Sequence, residues 1–398
     1  MKALSDVVML DLTHMLSGPY GAMMLTDLGV QTIKVEPPGK GEGTRALQAK
    51  DPKNSRHGMG SYFLTLNRSK KSVGIDLKSA EGLKVFYDLA KKADIVMDNF
   101  SAGVTTRLKI DHATLSKINP RIITCTVTGF GETGPDKDRP AFDMVAQAMG
   151  GGMSITGTPD DGPYRSGIPI GDLGGGIMGC IGILAALHQR ERTGRGQHVD
   201  ISMLDAQISM LNYMATMYFL SDDVPYGIGN SHFVHVVYDS FKTKTLPIII
   251  AIITDNFWEA LAQLLGDKDL QKPEYATQPG RWKDRDFIYK RVREHMAKDT
   301  TEAWLEKLRG ARIPCAPVND FKHALWDRQV LARHMVVDVP DGRGGTVKMP
   351  GNPMKLSHHE DSFTAPPTVG QHTDEVLRGM LGMSEDEVRK LRAANAVG

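Results

Sequence analysis

Short apolar runs and amphipathic stretches alternate through the first half of the chain. Residues 7–12 (VVMLDL) read as a buried strand, residues 18–28 carry helical spacing, and residues 32–35 (TIKV) return to strand character. Residues 81–91 form an amphipathic helical pattern, residues 95–97 a further buried strand, and residues 121–127 (RIITCTV) a β-rich run after a polar, helix-like stretch. Strand runs separated by crossover lengths predict a parallel sheet with helices on both faces. Residues 173–188 are apolar nearly all round, which predicts a central helix. Residues 199–203 read as a strand running into a long helix at 204–220.

The pattern changes after Ser221. Residues 222–229 (DDVPYGIG) suit a linker, residues 245–254 contain the buried run IIIAII, and helical spacing follows at 256–265, 286–296 and 301–308. The expected organisation is a large domain over 1–222, a smaller α+β domain over 223–328, and a segment, 329–398, that returns to the large domain. Residues 350–367, rich in Pro and His, read as extended. Ser384 and Glu387 form a capping box that opens a last helix.

Composition narrows the class. The 398 residues are 41% hydrophobic and 24% charged, enough apolar content for a packed core. With 48 basic and 47 acidic residues, global charge offers no handle for nucleic acid. Cys125, Cys180 and Cys315 are far apart and form no CxxC pair, as expected of a reduced cytoplasmic protein. Residues 1–9 do not have the pattern of a signal peptide. The longest apolar run, residues 173–187, is about fifteen residues broken by glycines, short of the ~20 that span a bilayer. These readings lead to the expectation of a cytoplasmic enzyme without nucleic-acid or membrane partners.

Several familiar sites are excluded by their details. The first strand–turn–helix reads Thr13-His14-Met15-Leu16-Ser17-Gly18-Pro19-Tyr20-Gly21, which lacks GxGxxG, and Pro19 removes an N–H that a pyrophosphate cradle would use. Gly39, Gly41 and Gly43 lack the lysine and hydroxyl order of a P-loop. The histidine pairs His232/His235 and His358/His359 have no metal-site frame, so no metal is expected. The informative segment is Ile168-Pro169-Ile170-Gly171-Asp172-Leu173-Gly174-Gly175-Gly176, which places a carboxylate at or near the N-cap of an apolar helix, before three glycines. Capping and close helix packing account for this pattern. That is the first reading of the segment alone; a nucleophile kept ionised by the helix N-terminus, with room for a large ligand, is a second and compatible one.

The chain resembles the class III CoA-transferases, a family that also includes α-methylacyl-CoA racemases. The resemblance runs along nearly the whole length. It rests on the block from Asp11 to Arg45, Asp98-Asn99-Phe100, Thr128-Gly129-Phe130-Gly131, GIPIGDLGGG, residues 193–200 (TGRGQHVD), residues 313–318 (IPCAPV) and residues 370–373 (GQHT). It implies a doubly wound, Rossmann-like α/β large domain with a smaller α+β domain, in a homodimer of interlocked chains. It also implies that Asp172 is the nucleophile, passing through a mixed anhydride and an aspartyl-CoA thioester. Acyl-CoA and a small carboxylic acid are then the substrates, with no tightly bound cofactor. Coenzyme A is implied to lie along His14, Ser17, Ile75, Lys78, Asn99, Phe100, Val104, Arg107 and Met203, with Leu16 and Phe142 facing the substrate. Backbone N–H groups near Leu16 and Ser17, and beyond Asp172, are the implied oxyanion donors.

Two departures bear on the donor. A formyl-CoA transferase pattern carries arginine where this chain has Pro37 and glutamine where it has Leu16. The racemases carry a Gly-His-Asp block where this chain has Ala141-Phe142-Asp143, so their α-proton base is missing. The expected activity is CoA transfer, with acetyl-CoA and oxalate or another short dicarboxylate as the best match. Racemisation or epimerisation on the same fold is the alternative, and a non-catalytic acyl-CoA-binding protein is a third reading.

Overall fold

The computed structural model describes residues 2–398, which form two compact units. The first comprises the chain up to Met153, Arg165–Asp223 and Leu331–Gly398. Its centre is a six-stranded, wholly parallel sheet: β1 (Val8–Asp11), β2 (Gln31–Glu36), β3 (Lys71–Gly74), β4 (Ile95–Asp98), β5 (Ile123–Thr128) and β6 (His198–Ser202). The strand order is β3–β2–β1–β4–β5–β6, so the winding reverses between β1 and β4, where Met9 pairs with Ile95. Alternate side chains feed two cores. Leu10, Val35, Val96 and Ile122 pack with Phe86 and Leu89 of helix Ala80–Ala90. On the other face Met9, Ile95, Met97 and Cys125 pack with Leu25 of helix Ser17–Asp27 and Ile183 of helix Ile170–Thr193. A sheet buried on both faces needs such near-continuous apolar strands.

The predicted strands fall where the sequence pattern puts them, but two helices differ. The central helix starts at Ile170, not residue 173, because Ile170-Gly171-Asp172 carry no periodic signal. At 24 residues it is also long enough to span a bilayer, unlike the fifteen-residue run expected from sequence. Half of its most apolar window is buried within the protein, as a core helix requires. Its glycines let it approach helix Ser17–Asp27 closely. A Cβ on Gly176 would stand 2.4 Å from the Ser17 carbonyl oxygen, and one on Gly21 2.5 Å from that of Gly176. The helix expected at 204–220 is broken at Asn212 (φ 48°) into Met203–Leu211 and Tyr213–Ser221. Asparagine tolerates positive φ better than most residues, and no Gly or Pro marks the break.

The C-terminal segment adds the hairpin β10 (Val336–Pro340) and β11 (Thr346–Pro350), whose Val339 and Met349 pack on Met59 and Phe63. Residues 351–372 form neither helix nor strand, with turns at 357–358 and 369–372, and the Ser384 capping box is formed. Residues 396–398 then pair along the edge beyond β3. Gly398 N–H donates to Gly74 O (3.1 Å), Asp76 N–H donates to Ala396 O (2.9 Å), and Val397 bridges to Ile75 and joins the Phe86 core.

The second unit comprises Ser154–Tyr164 and Val224–Val330. Its antiparallel sheet, in the order β9–β8–β7, contains β7 (Tyr238–Phe241), β8 (Ile248–Ala251) and β9 (Cys315–Pro317). Ile248 and Ile250 pack with Trp258, Ile288 and Leu308 from the three predicted helices. Residues 154–164, placed with the large domain in the sequence reading, belong here instead. Gly229 N–H donates to Gly157 O at 2.7 Å, a pairing between distant segments that local patterning does not encode.

Candidate active site

In parallel sheets ligands bind at the carboxyl ends of the strands where the winding reverses. The loops after β1 and β4 define that crevice here. Beneath the first loop lies a buried charge network. Lys70 Nζ donates to Asp11 Oδ2 (2.8 Å), the Thr13 N–H donates to Asp11 Oδ1 (2.9 Å), and Lys34 Nζ donates to Thr13 O (2.7 Å). Burial alone would raise the Asp11 pKa, but the Lys70 and Lys34 ammoniums outweigh it and hold the carboxyl at about 2. This network fixes the residue before His14. The His14 imidazole is itself depressed, first by burial and then by Lys34, so it is neutral at pH 7.

Two cavities meet at this loop. A groove of about 380 Å³ is lined by Ile75, Lys78, Lys40, Glu36, His14 and Phe100, among others. A cavity of about 330 Å³ is lined by His14, Ser17, Asn99, Phe100, Val104, Phe142, Asp172 and Met203, together with Tyr62, Lys137 and Arg139. His14 and Phe100 line both, with ring centroids 5.2 Å apart. Eight of the nine residues assigned to coenzyme A by resemblance thus border one or other space. Arg107 borders neither and is exposed on helix Val104–Leu108. Leu16 lies at the N-cap of helix Ser17–Asp27 and borders neither as well, whereas Phe142 does line the cavity.

Asp172 occupies the first turn of helix Ile170–Thr193, whose N-cap residue is Pro169. The helix's terminal amides do not serve it. Asp143 Oδ1 accepts from the N–H of Gly171 (2.8 Å) and of Asp172 (3.3 Å), and Gln147 Nε2 holds Asp143 Oδ2 (2.8 Å). Asp143 therefore caps the helix from outside it, and the Asp172 carboxylate faces the cavity without those donors. Burial and then the Asp143 charge push the Asp172 pKa up to about 6. The helix N-terminus therefore does not hold this pKa down, although at pH 7 the group is still mostly the carboxylate. The oxyanion donors expected beyond Asp172 are also engaged, since Leu173 N–H donates to Pro169 O at 3.0 Å.

Sequence reasoning missed Asp143, Tyr62, Lys137 and Arg139. Asp143 was visible only as part of a block that differs from the racemases. Nothing in a linear sequence tells that its carboxylate reaches a helix that begins 27 residues later at Ile170.

A three-layered α/β unit with a carboxylate in the crevice where the winding reverses defines the class of protein. The model for CoA-transferase family III matches residues 4–373. The acetyl-CoA:oxalate CoA-transferase of Acetobacter aceti is 36% identical over 90% of both chains. The succinyl-CoA:glutarate CoA-transferase of Mus musculus is 33% identical over 100% of this chain and 91% of its own. Among solved structures, a CAIB/BAIF family protein from Brucella suis is 30% identical and superposes with a TM-score of 0.83, covering 94% of this chain and 98% of its own. The chain belongs to CoA-transferase family III. It is an enzyme that moves coenzyme A from an acyl-CoA to a carboxylic acid.

Proposed function

We propose that the protein transfers CoA from acetyl-CoA to oxalate or another short dicarboxylate, with Asp172 as the nucleophile. The observation that carries this reading is the junction at His14 and Phe100, which joins the groove beside Lys78 to the cavity of Asp172. The groove suits the nucleotide, with Lys40 and Lys78 for phosphate oxygens, and the junction suits the pantetheine arm. The Asp172 carboxylate attacks the acyl carbon and expels the CoA thiolate. The thiolate returns to the aspartyl carbonyl, the donor acid leaves, and the acceptor carboxylate repeats the sequence in reverse. The Acetobacter relative's activity supports oxalate, and Lys137 and Arg139 supply cations for a second carboxylate. The enzyme would act in the cytoplasm on CoA thioesters as substrates, without a tightly bound cofactor.

We further propose the homodimer of interlocked chains. Helix Tyr213–Ser221 (YMATMYFLS) supports it: this apolar helix buries none of its residues in the single chain, and Phe219 and Leu220 are 79% and 84% exposed.

The test is a panel of acetyl-, succinyl- and formyl-CoA against oxalate, succinate, formate, acetate and carnitine, read by mass spectrometry of the CoA products. Acetyl-CoA with oxalate should lead. A 2-methylacyl-CoA in D₂O should gain no deuterium at Cα, because Phe142 stands where a racemase needs a base. Deuterium incorporation without transfer to any acid would replace this reading with racemisation.

A further inference from the structure

One of the residues that line the Asp172 cavity carries a hydroxyl that nothing in the resting protein engages. Ser17 is 4% exposed, and its Oγ is sealed from solvent without a hydrogen-bond partner among the described residues. Such a group is costly to keep unless a ligand completes it. Ser17 lines the same cavity as Asp172. It is the first residue of the 11-residue helix Ser17–Asp27, whose N-cap, Leu16, supplies no side-chain cap. The Ser17 N–H precedes any intrahelical acceptor, and the positive end of the helix lies there.

Across from it, a Cβ on Gly175 would stand 2.8 Å from Ser17 Oγ, 3.0 Å from Met203 and 3.1 Å from Val127. Gly175 lies one turn after Asp172 on the same helix. The space that this glycine leaves open is the space the hydroxyl occupies.

We propose that Ser17 Oγ is a catalytic hydrogen-bond donor to the oxygen of the acyl carbon that Asp172 attacks. This deepens the proposed Asp172 chemistry and rests on it. As an Asp172 oxygen forms its bond to the thioester carbon, the C=O π pair moves onto the thioester carbonyl oxygen as an oxyanion. Ser17 O–H donates to it and keeps its proton, backed by the helix N-terminus. When the oxyanion re-forms the C=O bond, the C–S bond breaks and its pair leaves with the CoA thiolate. The same donor serves the last addition, in which the thiolate attacks the acceptor acyl carbon of the second anhydride, whereas the two middle additions place their oxyanion on Asp172 Cγ itself. The role differs from binding coenzyme A, because it acts on charge present only in the transition state.

The test compares full-length wild type, Ser17→Ala, Ser17→Cys and Asp172→Asn. The assay is CoA exchange between acetyl-CoA and oxalate, or the pair from the panel that wild type turns over best. Ser17→Ala should keep or raise the melting temperature, because the hydroxyl has no partner to lose. Its kcat should fall by ~10–100-fold, while the acyl-CoA KM moves by less than about twofold. Ser17→Cys replaces the hydroxyl with a larger, weaker donor and should fall between. A kcat within about twofold of wild type in Ser17→Ala would overturn the proposal. So would a rise in KM alone, which would make Ser17 a CoA contact, or a loss of activity matched by loss of folding in both variants. Asp172→Asn separates the two claims: if it retains activity the nucleophile is wrong, whereas an inactive Asp172→Asn with a fully active Ser17→Ala removes only the donor.

Discussion

Asn99 holds His14 by both of its backbone polar groups, accepting from the N–H at 2.8 Å and donating to the carbonyl at 2.7 Å. The two residues follow β4 and β1, so a single carboxamide ties together the two lips of the crevice where the winding reverses. The Asn99 side chain is therefore a strut between these lips, and its second Nδ2–H and second Oδ1 lone pair stay free of His14. Asn99→Ala should leave two part-buried groups of His14 unpaired, at a stability loss of roughly 1–3 kcal/mol. The acyl-CoA KM should rise more than kcat falls, since the His14–Phe100 junction loosens. Steady-state kinetics beside thermal melts would check both, and an unchanged KM would remove the strut from the account.

Asp172→Asn should abolish turnover by several orders of magnitude, because an amide cannot form the anhydride. Its melting temperature at pH 8 should equal or exceed that of wild type. Asp143 holds the capping amides, and the substitution removes a buried like charge. The sign follows from the raised pKa. The folded protein favours the protonated acid, so the ionised form weakens the fold above the folded pKa, and the neutral amide lifts that penalty.

The same pKa sets the acid limb of the rate. Attack needs the carboxylate, so kcat/KM for acyl-CoA should fall as pH drops through about 6 and level out above it. Asp143→Asn keeps an oxygen for the Gly171 amide and removes the like charge. Its limb should shift to lower pH, and a limb that stays put would show burial acting alone.

Sequence and structure agree where a pattern is local. The strands at residues 7–12 and 95–97 and the capping box at Ser384 are written in alternation and in residue type. Asp172 stands out because a carboxylate before three glycines is unusual whatever its role. Local patterning cannot show that Asp143 reaches the start of the Asp172 helix, or that residues 154–164 join the second unit, because both depend on contacts between distant segments. The start of the central helix is hidden for another reason: Ile170 and Gly171 carry no periodicity, and Pro169 reads as a loop.

Gly176→Ala probes the packing beneath the site. Its Cβ would meet a backbone oxygen of Ser17 at 2.4 Å, and no rotamer relieves that contact. Overpacking of this kind costs about 1–3 kcal/mol, so chemical denaturation should show a lower midpoint. Activity should drop with it, since Ser17 and Asp172 ride on the two helices being forced apart.

If two chains are interlocked, subunits cannot exchange without extensive unfolding. Mixing differently tagged dimers under native conditions should yield no mixed species over hours. Exchange within minutes would leave the exposed helix Tyr213–Ser221 with an ordinary, separable interface.

The pairing of residues 396–398 with Gly74 and Asp76 has a consequence for the newborn chain. On the ribosome, the wall of the groove at Ile75 is made early, but its covering segment emerges about 320 residues later, on the order of half a minute at common elongation rates. Through that interval the outer edge of β3 stays open, as does the apolar surface that Val397 later fills. An open strand edge is the kind of surface on which nascent chains adhere to one another. Yield of the active enzyme should therefore depend on synthesis rate and on chaperone supply more than the stability of the finished fold would suggest.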